Sequence, residues 1–154
     1  MPTAAIGIGS NVGDAEANVR HAFERLAELG SLIAHSPLYR SEPWGVVDQA
    51  PFVNAAALIE TGLQPRSLLA ALKRIEGEEG RVRTYRWGPR VLDLDILAYD
   101  ELRVDEPDLV IPHARLLERA FALVPLAAID PRYEDARDAL PPGERAAVVE
   151  LARR

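Results

Sequence analysis

The sequence predicts an α+β sandwich built on an antiparallel sheet. Three observations predict it. Short apolar segments of strand length recur between turn residues. Two other segments carry apolar residues at helical spacing: Val19, Ala22, Phe23, Leu26 and Leu29, then Leu68, Leu69, Leu72 and Ile75. Their order over the first hundred residues is strand, helix, strand, strand, helix, strand, which is the split βαβ arrangement.

Each element has a local reason. Ala4 to Gly9 reads as a short buried strand. Gly9-Ser10-Asn11-Val12-Gly13-Asp14 is a turn, with Asp14 placed to cap the helix that follows. Ser10 and Asn11 are expected to brace neighbouring loops. The helix runs to about Leu29 and Gly30 ends it. Ser31 to Tyr39 suits one strand. Ser41 to Pro51, with Pro43, Gly45 and Trp44, is a loop. Phe52 to Thr61 is a long apolar strand. Pro65 opens a second helix, which Gly77 and Gly80 close. After an arginine-rich loop, Val91 to Tyr99 forms the fourth strand. Leu102 to Val104 suits a short extra strand. Ile111-Pro112-His113 leads into helical residues up to Ile129, and one more helix starts at Pro142. The expected fold is a ferredoxin-like βαββαβ sandwich with an antiparallel sheet and additional C-terminal helices, one domain over residues 1–154. A fold of this kind is compatible with many chemistries.

Composition narrows the chemistry. The chain has no cysteine, which excludes disulfides and thiolate metal sites. No stretch is apolar enough to cross a membrane and the N-terminus lacks a signal-peptide pattern, so a cytoplasmic protein is expected. The net charge is −6, yet residues 81–90 carry four arginines and no acid. That is too narrow a basic region for a nucleic-acid surface. It suits a metal-bound polyphosphate.

The segment directly after it is the most informative. Leu92, Leu94 and Ile96 alternate with Asp93 and Asp95. In a strand the two carboxylates then share one face while the apolar residues enter a core. Their Cα atoms would lie about 6.6 Å apart. Two bare carboxylates at that range repel by roughly 3 kcal/mol at an effective dielectric of about 20. Arginine partners on a solvated strand face are one way to offset this. Mg²⁺ shared with substrate phosphates is the other.

Other candidates are weaker. The glycines at positions 7, 9 and 13 fit neither a P-loop nor a dinucleotide fingerprint. His21 falls on the polar face of the first helix, and His35 has no evident partner. His113 follows Pro112 at a helix start, a position that suits either a phosphate contact or a role in starting the helix. No spacing suggests zinc or a Ser-His-Asp set. Phe52 and Asn54 share a strand face. Asn54 is an amide on an apolar strand, which needs partners and can both donate to and accept from a flat heterocycle.

Taken in order, these blocks closely resemble the 6-hydroxymethyl-7,8-dihydropterin pyrophosphokinase family. The resemblance rests on Gly9 to Asp14, Ser36 to Ser41, Asp48 to Ala55, Gly80 to Arg83, Arg86-Trp87-Gly88-Pro89-Arg90-Val91-Leu92-Asp93-Leu94-Asp95, Ile111-Pro112-His113, Arg119-Ala120-Phe121 and Pro125-Leu126. It implies transfer of pyrophosphate from ATP to the pterin hydroxymethyl group. It implies two Mg²⁺ ions on Asp93 and Asp95. Arg81 and Arg90 would bind phosphates with help from Arg83, and His113 and Arg119 would act from the opposite wall. The pterin would lie between Phe52 and Phe121, read by Asn54 and by main-chain groups near Ser41 and Glu42. Trp44 and Trp87 would close over the site. Leu69, Lys73, Glu76 and Ile96 would neighbour the nucleotide.

The chain departs from the family pattern in a few places. The loop between Arg83 and Trp87 is one residue short and lacks a lysine of some members, and Lys73 replaces a common glutamine. Asp108, Val110 and Ala114 stand where some members carry Arg, Thr and an aromatic residue. The expected partners are the two small substrates, with no nucleic acid, no membrane and a monomeric state. The rival readings are an ATP-dependent kinase that transfers one phosphate to a small alcohol, and a non-catalytic nucleotide-binding module.

Overall fold

The computed structural model describes residues 1–42, 50–80 and 91–152. Strand β1 (Thr3–Ser10) leads into α1 (Ala15–Leu26), then β2 (Ser31–His35), β3 (Tyr39–Ser41), β4 (Phe52–Glu60), α2 (Pro65–Glu78) and β5 (Asp93–Tyr99). A hairpin of β6 (Val104–Glu106) and β7 (Leu109–Ile111) follows, then α3 (Ala120–Ala127), α4 (Glu134–Asp138), α5 (Pro142–Ala146) and β8 (Val149–Glu150). The main sheet runs β5-β1-β4-β3-β8, with β2 also on β4, and every pairing in it is antiparallel. β1 lies between β5 and β4, the strand order of the ferredoxin-like split βαβ fold.

Alternation along the strands makes two cores. Ala4, Ile6 and Ile8, Val53, Ala55, Ala57 and Ile59, and Leu94 and Ile96 pack with Val19, Phe23 and Leu26 of α1 and Leu68, Leu72 and Ile75 of α2. The other face buries Ala5, Ala56, Leu97 and Ala98 with Leu123 and Leu126 of α3, plus Leu116 and Leu140. Leu97 and Ala98 enter the same core because the β1–β5 register shifts there, Ala5 facing Ala98 and Ile6 facing Ile96. The extra residue is a bulge, which puts two consecutive side chains on one face.

Local chemistry sets the boundaries. The Asp14 side chain accepts from the Ala17 N–H at 3.1 Å and caps α1. Gly30 is required by a close approach: a Cβ there would stand 2.0 Å from the Glu60 carbonyl oxygen. Several boundaries differ from the sequence expectation. The single strand expected over Ser31 to Tyr39 is two strands, broken at Ser36-Pro37-Leu38. Pro37 has no N–H for a ladder, and the Ser36 hydroxyl takes the Ala56 N–H at 2.9 Å in place of a backbone partner. The first helix stops at Leu26, and a turn carries the chain to Gly30. Gly77 lies inside α2, and Gly80, at φ +88°, follows the helix end. The strand expected from Leu102 begins at Val104 and has a partner, β7. The stretch expected to be helical from Ile111 to Ile129 is a 3-10 turn at Leu116–Glu118 followed by α3. The tail adds two short helices and β8, a strand too short for periodicity to reveal. Among the described residues no helix is long and apolar enough to cross a membrane.

Candidate active site

The sheet face under α3 changes character toward one end. In register, Gly9 lies opposite both Asp93 of β5 and Asn54 of β4, and Gly7 lies opposite Asp95 and Ala56. Residues directly opposite share a face. Asp93, Gly9 and Asn54 therefore form one row across three strands. Gly9 leaves its middle without a side chain. A Cβ at Gly9 would stand 3.5 Å from the Asn54 Oδ1 and 3.6 Å from the Phe52 ring, filling the trough between carboxylates and amide. At Gly7 a Cβ would press on the Leu97 side chain at 3.2 Å.

The carboxylates form one wall. Burial first, and the charge of Asp93 second, push the Asp95 carboxyl up to about 7, while Lys73 and Arg119 pull it the other way. A carboxylate pair short of positive charge fits a hard divalent cation. Among the described residues no group of three His, Cys, Asp or Glu side chains could hold a metal, so these residues offer the two carboxylates and no complete cage.

The segment after β7 stands beside the carboxylates. The His113 N–H donates to the Leu97 carbonyl at 2.9 Å, tying the segment to β5. The Arg115 N–H reaches the His113 Nδ1 at 3.3 Å, so the neutral ring carries its proton on Nε2. Burial, then the charge of Arg119, holds the His113 pKa below its ordinary value, against the pull of Asp93. Arg119 is half-buried, with its guanidinium carbon 5.7 Å from the Phe121 ring centroid. Its Nε is buried and has no hydrogen-bond partner among the described residues. Burial and Arg115 depress its pKa, while Asp95 and Asp93 oppose them. An unsatisfied arginine donor beside a carboxylate pair is suited to a bound anion that itself carries a metal.

At the other end of the row, the Asn54 Nδ2 donates to the Ser41 Oγ at 2.6 Å, and both residues are buried. Phe52, opposite Ser41 in register, is partly exposed. Phe121 is also partly exposed, on the first turn of α3, which packs on β4, β3 and β1. Glu42 is exposed and pairs with Arg40 at 3.8 Å. Asn11 donates to the Ala50 carbonyl at 3.2 Å, and Asn18 to the Ser10 hydroxyl at 3.1 Å, so the first turn braces its neighbours as expected.

The residues expected near a nucleotide lie at the seam of α2 and β5. Glu76 is fully buried, and its Oε2 accepts from the Leu94 N–H at 2.7 Å, on the edge of β5 that faces away from β1. Lys73 Nζ is 3.4 Å from the Glu76 Oε1 and stays exposed. Leu69 is partly buried, and the Ile96 side chain points into the α1–α2 core, away from the carboxylates. Trp44, Arg81, Arg83, Trp87 and Arg90 lie outside the described residues. Of the other histidines, His21 pairs with Glu24 and Glu79, and His35 stacks on Phe23 with 4.2 Å between centroids. Sequence reasoning missed the gap at Gly9 and the Ser41 hydroxyl. The first was readable as glycines at strand period, but the second depends on register.

Residues 5–131 match the model of the 7,8-dihydro-6-hydroxymethylpterin-pyrophosphokinase family. The chain belongs to this family. It is 49% identical over 133 residues to the 2-amino-4-hydroxy-6-hydroxymethyldihydropteridine pyrophosphokinase of Methylorubrum extorquens, covering 85% of this chain and 84% of that one. It is 48% identical over 137 residues to the protein of the same name from Pseudomonas aeruginosa, covering 86% and 84%. Among solved structures, a Plasmodium falciparum HPPK-DHPS with SDX-DHP matches with a TM-score of 0.64 at 16% identity. That match covers 87% of this chain but spans 41% of the longer one, and at such identity it speaks for the fold alone. The family region contains every site residue named above. It stops before α4, α5 and β8.

Proposed function

We propose that this chain transfers the pyrophosphoryl group of ATP to the hydroxymethyl group of 6-hydroxymethyl-7,8-dihydropterin, in folate synthesis. The observation that carries the reading is the row Asp93, Gly9, Asn54, with Asp95 next to it on the same face, so that a carboxylate pair and a buried amide flank a position without a side chain. The family match supports it.

The residues divide the work. Asp93 and Asp95 would hold two Mg²⁺ ions, which when bound offset the nucleotide charge and make the hydroxyl more acidic. Asn54, held by Ser41, would hydrogen-bond the pterin edge through its Oδ1 and remaining N–H, aided by main chain near Ser41 and Glu42. Phe52 and Phe121 would stack on its faces. The substrate hydroxyl then lies toward Asp93, gives up its proton to a phosphate oxygen and through it to solvent, and its oxygen attacks the β-phosphorus of ATP. The bond from that phosphorus to the α,β-bridging oxygen breaks, and AMP leaves. Arg119, with its unpaired Nε, and the Nε2–H of neutral His113 would donate to phosphate oxygens as charge shifts to the leaving group. Arg81, Arg90 and Arg83 would do the same, and Trp44 and Trp87 would exclude water that would otherwise take the transferred group. Leu69 and Lys73 would line the nucleotide side, while buried Glu76 and Ile96 would act there only through the backbone of β5 that they hold in place. No side-chain general base is needed in this scheme.

The test is nucleotide analysis after mixing the protein with ATP, Mg²⁺ and the hydroxymethyl dihydropterin. AMP equal to pterin diphosphate is expected. ADP would identify a single-phosphate kinase, and no turnover by folded protein would identify a binding module. The reading takes the chain as a monomeric cytoplasmic enzyme of one domain, and light scattering tests the monomer.

A further inference from the structure

β3 has a partner on each side, and the outer one comes from beyond the family region. β3 is three residues long. Its inner edge pairs with β4: Tyr39 faces Asn54, Arg40 faces Val53 and Ser41 faces Phe52. Its outer edge pairs with β8, Tyr39 facing Glu150 and Arg40 facing Val149. The Leu151 N–H extends this ladder by donating to the Leu38 carbonyl at 2.8 Å, and the Leu151 side chain packs on the main core. A three-residue strand bonded on one side only opens easily, because few contacts and exposed backbone bonds hold it. Bonded on both sides, it becomes an interior strand. What β3 carries into the site is Ser41, whose Oγ holds the Asn54 amide.

We propose that β8 and Leu151 form a C-terminal strap that positions the pterin-reading pair: clamping β3 from outside, they keep Ser41 on Asn54 and so set the affinity for the heterocycle. The inference rests on the pterin reading of that end of the sheet. The strap touches neither substrate, so it acts through β3 and leaves the carboxylate end alone.

Two variants test it. One chain ends at Val148. The other carries Leu151→Pro, which removes the N–H that bonds Leu38. Binding of the dihydropterin and of ATP with Mg²⁺ is titrated by fluorescence for each, and hydrogen exchange is followed at residues 39–41. As the fraction of chains with β3 seated falls, pterin affinity should drop about fivefold or more while ATP affinity stays within about twofold. The amides at 39–41 should exchange faster. Arg40 and Val149 are opposite in register in a chain without cysteine. Arg40→Cys with Val149→Cys, added to Leu151→Pro, should restore pterin affinity after oxidation by oxidised glutathione and lose it on reduction. Unchanged pterin affinity, or equal weakening of both ligands, overturns the proposal. If the shortened chain does not fold, Leu151→Pro decides. An intact chain that binds no pterin overturns the proposed function instead. In that case protection at 39–41 that Leu151→Pro leaves untouched overturns the strap as well.

Discussion

The two faces of the sheet come from the same strands and do opposite work. Under α1 and α2, Ile6, Ile8, Leu94 and Ile96 are closely packed and nearly free of polar groups. One residue along each strand, Gly9 leaves a gap between Asp93 and Asn54, Leu97 covers Gly7, and the carboxylates of Asp93 and Asp95 add two repelling charges at the side. Each buried leucine or isoleucine contributes roughly 1.5–3 kcal/mol by leaving water. The carboxylates cost stability. The sheet can hold them because a period of two separates the costly residues from the stabilising ones without lengthening the chain. Sites that violate packing rules tend to be functional for this reason.

Substitutions one residue apart should break this comparison cleanly. Asp95→Ala should lower turnover by about a thousandfold, roughly 4 kcal/mol of activation free energy. Its melting temperature should not fall, because a repelling charge is removed. AMP formation and thermal unfolding, measured on one preparation, check both. Near-normal turnover would remove the functional distinction between the faces. Leu94→Ala should do the reverse, costing about 3 kcal/mol of stability in urea titrations while the folded fraction keeps its turnover.

Glu76→Ala tests the seam that holds β5. It leaves the Leu94 N–H without its acceptor, at a cost of about 2 kcal/mol. Glu76→Gln, which keeps an acceptor, should recover most of that loss in the same urea titration. Phe52→Ala should weaken the pterin about tenfold, or 1.4 kcal/mol, with ATP affinity nearly unchanged. Equal weakening of both in a fluorescence titration would argue against stacking.

The last test is on pH. With Asp95 pushed up to about 7, the metal-free folded chain keeps a proton that the unfolded chain has already released. An unfolded aspartate titrates near about 3.9. Between those values the folded state binds more protons, so stability is highest at the acid end and falls as pH rises through the folded pKa. Asp95→Asn should flatten that slope in denaturation curves taken across the window. A slope that survives the substitution would place the proton elsewhere.

Much of this could be read from the chain alone. The Asp-x-Asp alternation showed that both carboxylates share a face, because strand period is a local property. The stripes at Val19 to Leu26 and Leu68 to Ile75 showed the two helices for the same reason. The break at Ser36-Pro37-Leu38 was only half legible: Pro37 marks it locally, but the Ser36 bond to Ala56 that replaces the ladder crosses twenty residues. Strand β8 was out of reach because two residues carry no period.

By itself, then, the sequence determined which residues alternate, which segments are helices and which family the chain resembles, all from residues close together along the backbone. Only the tertiary structure decided that Gly9 faces both Asp93 and Asn54, that Ser41 holds that amide, and that Glu76 takes the free edge of β5. It also decided how far Asp95 is pushed from its ordinary pKa. Register, burial and charge proximity join residues tens of positions apart. They follow from how the two cores close, and no local pattern in the chain encodes them.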